Sequence, residues 1–100
     1  MATKVRTGRA ARRELKEFGT RLKAARLRRR LPASLVSERA AINRMTYRKI
    51  EAGDPSVKIG SYVAVLQALG LIEGWGKIED PLGEQIELEE LPQRARLSNG

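Results

Sequence analysis

Apolar residues begin to recur at helical spacing near residue 13. Leu15, Phe18, Leu22 and Ala25 lie three, four and three apart, which places them on one face of a helix. Arg21, Lys23, Arg26 and the run Arg28–Arg30 fall largely off that face. The pattern predicts a helix over about 13–29, with a cationic last turn that suits the negative end of the helix dipole. Pro32 interrupts it. A proline is tolerated at a helix start, where its missing N–H would be unpaired anyway, so a second helix is expected from Pro32 or Ala33 to Ala40 with Val36 and Ala40 inward. Ala41-Ile42 connects it to a third helix over about 44–52, with Asn43 as N-cap and Tyr47 and Ile50 as inward positions. Gly53 follows at the place of a left-handed cap, and Asp54-Pro55 makes a turn. A fourth helix over about 60–69 carries Tyr62, Val63, Leu66 and Leu69, with Ile59 leading in and Gly70 ending it.

The ends read differently. Residues 1–12 are basic and small, with Val5 as the one large aliphatic residue after Met1, too little apolar surface to fold alone, so a disordered basic arm is expected there. Residues 71–78 suggest a short fifth helix, although Gly74 and Gly76 weaken it. After Asp80-Pro81 the chain turns acidic. Ile86 and Leu88 alternate with glutamates, compatible with a short strand or a flexible tail. The domain organisation is therefore an arm at 1–12, a helical domain at 13–80 with the two central helices at 32–52, and an acidic tail at 81–100. The fold class is all-α, a compact bundle of four to five helices with flexible ends.

Composition removes several chemistries. There is no cysteine and no histidine, hence no disulfide, no thiolate metal site and neither the commonest general base nor the commonest metal ligand. With 100 residues there is little room for a catalytic pocket, so neither an enzyme nor a cofactor is expected. No run approaches the ~20 apolar residues that span a bilayer, and no apolar stretch follows the basic start as in a secretory signal; a cytoplasmic, nucleoid-associated protein is the expectation. The net charge is +8, and its distribution is uneven. Residues 1–30 hold twelve of the twenty basic groups and two of the twelve acidic ones, whereas residues 59–100 hold three basic and seven acidic. A polyanion at the basic end accounts for this asymmetry; a solubilising tail is the plainer account.

Two short helices across a tight turn form a unit whose second helix fits the DNA major groove. With Tyr47 and Ile50 anchoring it, Arg44, Met45, Thr46, Arg48 and Lys49 face outward. Arg44 has the fork that bonds guanine O6 and N7 in pairs, Lys49 reaches guanine or phosphate, and Met45 and the Thr46 methyl suit a thymine methyl. Asn43, Arg48, Arg26 and Arg30 are candidate phosphate contacts, which fix position rather than sequence.

The ungapped stretch Leu31-Pro-Ala-Ser-Leu-Val-Ser-Glu-Arg-Ala-Ala-Ile-Asn-Arg-Met-Thr-Tyr-Arg-Lys-Ile-Glu-Ala-Gly53 resembles the phage-repressor/Cro-like (xenobiotic-response-element, XRE) helix-turn-helix family. Ala40 matches the small residue before the turn, Ile42 the apolar residue within it, Asn43 the cap, and Ile50-Glu51-x-Gly53 the helix end. The resemblance covers residues 15–71 and implies a lambda-repressor-like fold of four or five helices and a sequence-specific, homodimeric repressor on a palindromic operator in double-stranded DNA. Three positions depart from the pattern: Pro32 stands where Ser or Thr is usual, Ala33 where Gln usually contacts the DNA backbone, and Ala41 where Gly is usual. The segments Gly53-Asp-Pro-Ser-Val, Val65-Leu-Gln-Ala-Leu-Gly-Leu71, Asp80-Pro-Leu-Gly83 and Leu91-Pro-Gln-Arg-Ala-Arg96 are similar to antitoxins of the HipB type, which implies autoregulation and a HipA-like kinase toxin as partner.

Each feature also has a plainer reading. The outward cations suit any solvated helix face, and Met45 could fill a core. Residues 1–13 are a tail or an arm lying in the minor groove or along phosphates. Trp75 and Ile78 cap the core or meet a twofold mate. The run at 84–90 is a solvated tail, or a strand bound to a toxin or swapped in a dimer. A protein-interaction module with vestigial DNA binding and a stand-alone phage-type repressor are the alternatives to an antitoxin. RNA binding is disfavoured, because none of Phe18, Tyr47, Tyr62 and Trp75 clusters with the basic residues to offer a stacking platform.

Overall fold

The computed structural model describes residues 6–84 and Pro92. The described residues are all-helical: α1 (Arg9–Arg28), α2 (Ala33–Arg39), α3 (Arg44–Glu51) and α4 (Ile59–Ala68), followed by single 3₁₀ turns at Ile72–Gly74 and Pro81–Glu84. The helical faces read from the sequence are the ones buried. Leu22 and Ala25 of α1, Val36 of α2, Tyr47 and Ile50 of α3, and Tyr62, Val65, Leu66 and the adjoining Leu69 of α4 form one core, with Ala40 closing it at the turn. Leu15 and Phe18 pack partly buried at its edge. Each fully buried Val, Leu or Ile contributes about 1.5–3 kcal/mol through removal from water. Val65 takes the fully buried place expected for Val63, which is half-buried.

Two elements differ from expectation. α1 begins at Arg9 rather than near 13, so the last part of the expected arm is helical. Apolar periodicity carries no signal there, but Ala and Arg are strong helix formers and extend the helix outward without burying anything. Residues 71–78 form only one 3₁₀ turn in place of a fifth helix, since Gly74 and Gly76 cost backbone entropy that little burial offsets. Ile86 and Leu88, read as a short strand or a flexible tail, lie outside the described residues, as do residues 1–5 of the arm and most of the tail.

All four α-helices end with the same pair of hydrogen bonds. Leu31 N–H donates to the Arg26 carbonyl (3.2 Å) and Arg30 N–H to Leu27 (3.0 Å) after α1. Ile42 to Ser37 and Ala41 to Glu38, both 3.0 Å, close α2. Asp54 to Lys49 (2.9 Å) with Gly53 to Ile50 (3.0 Å), and Leu71 to Leu66 (2.8 Å) with Gly70 to Gln67 (3.0 Å), close α3 and α4. This double closure needs one residue in the left-handed region. Gly53 and Gly70 supply it at φ 71° and 76°, whereas Arg30 and Ala41 adopt it at 54° and 57° without being glycine, at a cost of about 1–2 kcal/mol each.

Candidate nucleic-acid interface

α2 and α3 are joined through residues 40–43. The entry to α3 is set by Asn43, whose Oδ1 accepts from Thr46 N–H at 2.7 Å, so its side chain closes the helix start as expected. One side of α3 is then fixed: Tyr47 is 1% exposed and Ile50 is fully buried. The other side is free, with Arg44, Met45, Arg48 and Lys49 exposed and Thr46 half-buried. Met45, at 68% exposure, is not core filling.

The C-terminal end of α3 is locked against α1. Arg26 Nε donates to Glu51 Oε2 at 2.8 Å, its Nη2 to Oε1 at 3.4 Å, and its Nη1 to the Leu31 carbonyl at 3.0 Å. The Tyr47 hydroxyl donates to the same Glu51 Oε2 at 2.6 Å. The hydrogen bond to Glu51 raises the Arg26 pKa, against the opposing effect of burial, and burial followed by the Glu51 hydrogen bond pushes the Tyr47 phenol well above its ordinary range. Arg26 is thus committed to Glu51 and Leu31, its side chain only 12% exposed. Three of its five N–H donors are therefore engaged inside the protein, which makes Arg26 a poorer candidate for phosphate contact than an exposed arginine. Arg30 stays exposed at the α1–α2 corner.

Close backbone approach completes the lock. A Cβ on Gly19 would lie 2.5 Å from the Ile50 carbonyl oxygen and 2.7 Å from that of Glu51. A Cβ on Gly53 would lie 2.5 Å from Lys16 Cα and 2.6 Å from the Leu15 carbonyl oxygen. Neither Gly19 nor the Arg26–Glu51–Tyr47 group emerged from the sequence pattern. The signals were a glycine inside a helical period, and a basic residue on the edge of an apolar face.

A polar cleft of about 430 Å³ brings Asn43, Thr46 and Lys49 together with Ser56, Lys58 and Ser61. The last three, around the start of α4, went unnoticed in the sequence. α4 has no side-chain cap at Lys58, so its first N–H groups present partial positive charge beside Lys49 and Lys58. Asp54 holds the loop in place, its Oδ1 accepting from Ser56 N–H (2.8 Å) and Ser56 Oγ (2.7 Å), which lowers its carboxyl pKa below the usual value. The Tyr62 hydroxyl donates to the Asp54 carbonyl at 2.8 Å. Burial, reinforced by the Asp54 charge, pushes the Tyr62 phenol up to about 12. Arg44, Met45 and Arg48 lie outside this cleft, on the open face of α3.

No protein-family model matches the chain, and neither does any curated protein or solved structure. Function therefore rests on the geometry of this face and on its chemistry.

On the far side, Trp75 is 39% exposed and Ile78 87%. They border a groove of about 580 Å³ floored by Phe18, Leu66 and Leu71 and flanked by Glu14 and Arg21. Among the described residues Ile78 stands clear of the core, while Trp75 is partly covered beside Phe18, Leu66 and Leu71. No helix among the described residues is long and apolar enough to cross a membrane.

Proposed function

We propose that the chain is a sequence-specific DNA-binding transcriptional regulator, a homodimeric repressor related to the phage-repressor/Cro-like helix-turn-helix proteins. The observation that carries this reading is the two-sidedness of α3. Its inner residues Tyr47 and Ile50 are buried and its end is tied to α1 through Glu51, while Arg44, Met45, Arg48 and Lys49 project together. A helix held rigidly by one side and cationic on the other is what insertion into the major groove requires. Arg44, Met45, Thr46 and Lys49 read base edges. Asn43, Arg48 and Arg30, joined by Ser56, Lys58 and Ser61, position the protein on phosphates. Two copies paired through Trp75 and Ile78 present two such helices to a palindrome, about 34 Å apart. The protein works in the cytoplasm, on the nucleoid.

The narrower reading is an autoregulating antitoxin whose partner is a HipA-like kinase toxin. It is favoured by the resemblance of the segments after Gly53 and by apolar surface beyond what folding uses. A partner-binding module whose helix-turn-helix no longer reads DNA is the competing account, motivated by Ala33 at the start of α2.

The deciding experiment titrates the protein against its own upstream region and a scrambled duplex at two salt concentrations. Affinity at least ~10³ tighter for the upstream region supports a sequence reader. Equal, strongly salt-dependent binding to both would reduce the interface to a general polyanion grip.

A further inference from the structure

Four helical turns of α1 carry a line of cations that neither the core nor the reading helix uses. Arg9, Arg13, Lys16 and Lys23 follow one another at spacings of four, three and seven, with Thr20 between the last two and Arg12 beside the first. This spacing puts them on one face of the helix, over a length of about 21 Å at 1.5 Å per residue. All six are exposed. Among the described residues none of these cations is ion-paired. The two salt bridges found there use Arg21 with Glu17, and Arg26 with Glu51. The first turn contains no acidic residue and has no side-chain cap. Arg9 and Arg12 therefore sit at the positive end of the helix dipole, where cations are disfavoured. Folding alone does not select such an arrangement.

The position of the line is fixed by the lock described above. Gly53, just past α3, packs against Leu15 and Lys16. The line of cations thus passes the C-terminal end of α3, the end away from its capping Asn43, and continues outward to Arg9. We propose that this face of α1 grips the phosphate backbone of duplex DNA flanking the segment read by α3, lengthening the contact beyond the half-site. A DNA strand presents one charge per ~3.4 Å of axis, so a straight row of cations at i, i+3 and i+4 meets phosphates without demanding any base sequence. Because these residues are helical rather than part of a loose arm, the grip is preformed, and less ordering entropy opposes it. The inference rests on the reading of α3 as a major-groove helix for its placement, but its signature is separate.

The test compares the full-length protein with the triple variant Arg9→Ala, Arg13→Ala and Lys16→Ala, and with Arg44→Ala. Each is titrated from low to high salt on the upstream duplex, on the same duplex with its flanks trimmed, on a scrambled duplex of full length, and on an RNA duplex. Circular dichroism checks that the variants fold, which alanines on an exposed helix face favour. The triple variant should flatten the salt dependence by about 2–3 in logarithmic slope, equally on the upstream and scrambled duplexes, with their affinity ratio unchanged. On the trimmed duplex it should behave like the wild-type protein. Arg44→Ala should change the ratio and leave the slope within about one. An unchanged slope in the triple variant, or the same loss on trimmed and full duplexes, overturns the flanking grip whatever Arg44→Ala does. A changed slope with no effect of Arg44→Ala upholds the grip and removes the base-reading role of α3. Loss of binding to an RNA duplex alone, with DNA binding intact, assigns the face to RNA and also overturns the proposal.

Discussion

The joint between α1 and α3 and the segment after Leu71 treat similar side chains in opposite ways. At the joint, backbone meets backbone at Gly19 and Gly53, and one carboxylate, Glu51, gathers Arg26 and Tyr47 into a part-buried group. Among the described residues no buried side-chain donor or acceptor is left without a partner. After Leu71, Ile72, Trp75, Ile78 and Leu82 are all exposed, held by little more than two single 3₁₀ turns. The first region gives up nearly all freedom to aim one helix. The second keeps apolar surface that the described residues do not cover. The difference separates surface that folding uses from surface that the proposed pairing would use, and substitutions in the two regions should fail in different ways.

The largest effect is expected at Gly53. Gly53→Ala adds a Cβ against Lys16 and Leu15 backbone and forces an L side chain to φ 71°. Strain and overpacking together should destabilise the domain by about 3 kcal/mol or more, a large part of the stability of a small domain. Denaturant unfolding measures it, and wild-type stability in that variant would break the account of the joint. Next comes Glu51→Ala, which leaves the Arg26 guanidinium and the Tyr47 hydroxyl without their acceptor at a cost of about 3 kcal/mol. Because α3 loses its tether, operator affinity should fall even at temperatures where the variant is folded. Asn43→Ala removes the acceptor of the Thr46 N–H and should cost about 1 kcal/mol, seen as a modest drop in the midpoint of thermal unfolding. Smallest in stability is Ile78→Ser, at a position 87% exposed, expected to change unfolding of the monomer by about 0.5 kcal/mol or less. Under the proposed pairing, sedimentation should nonetheless show the dimer weakened by about tenfold. If this substitution unfolds the chain instead, the C-terminal segment belongs to the core and the contrast fails.

Much of this organisation was legible in the sequence, because burial follows periodicity. Leu22, Ala25, Val36, Tyr47 and Ile50 fall inward where helical spacing puts them, and Asn43, Gly53 and Gly70 mark ends through their own local chemistry. What periodicity could not reach were relations across the chain. Arg26 sits at the rim of the α1 face, and only the fold brings Glu51 to it from 25 residues away. Gly19 looks like a weak point within a helix until the carbonyls of Ile50 and Glu51 arrive above it. The start of α1 was hidden for the opposite reason: Arg9, Ala10, Ala11 and Arg12 favour a helix intrinsically yet bury nothing that a pattern would register. The left-handed Arg30 and Ala41 carried no glycine to announce them; their closing hydrogen bonds outweigh the strain.

In the proposed function α3 folds with one side and reads DNA with the other. That division is tested most directly by measuring stability and binding together in Arg44→Ala. Arg44 is exposed, so the unfolding midpoint should stay within the ordinary range of a surface change, about 0.5 kcal/mol. Affinity for the upstream duplex should fall by about 1–3 kcal/mol, roughly 5- to 150-fold, and affinity for a scrambled duplex should barely move. Equal loss on both duplexes, or no loss on either, would contradict the claim.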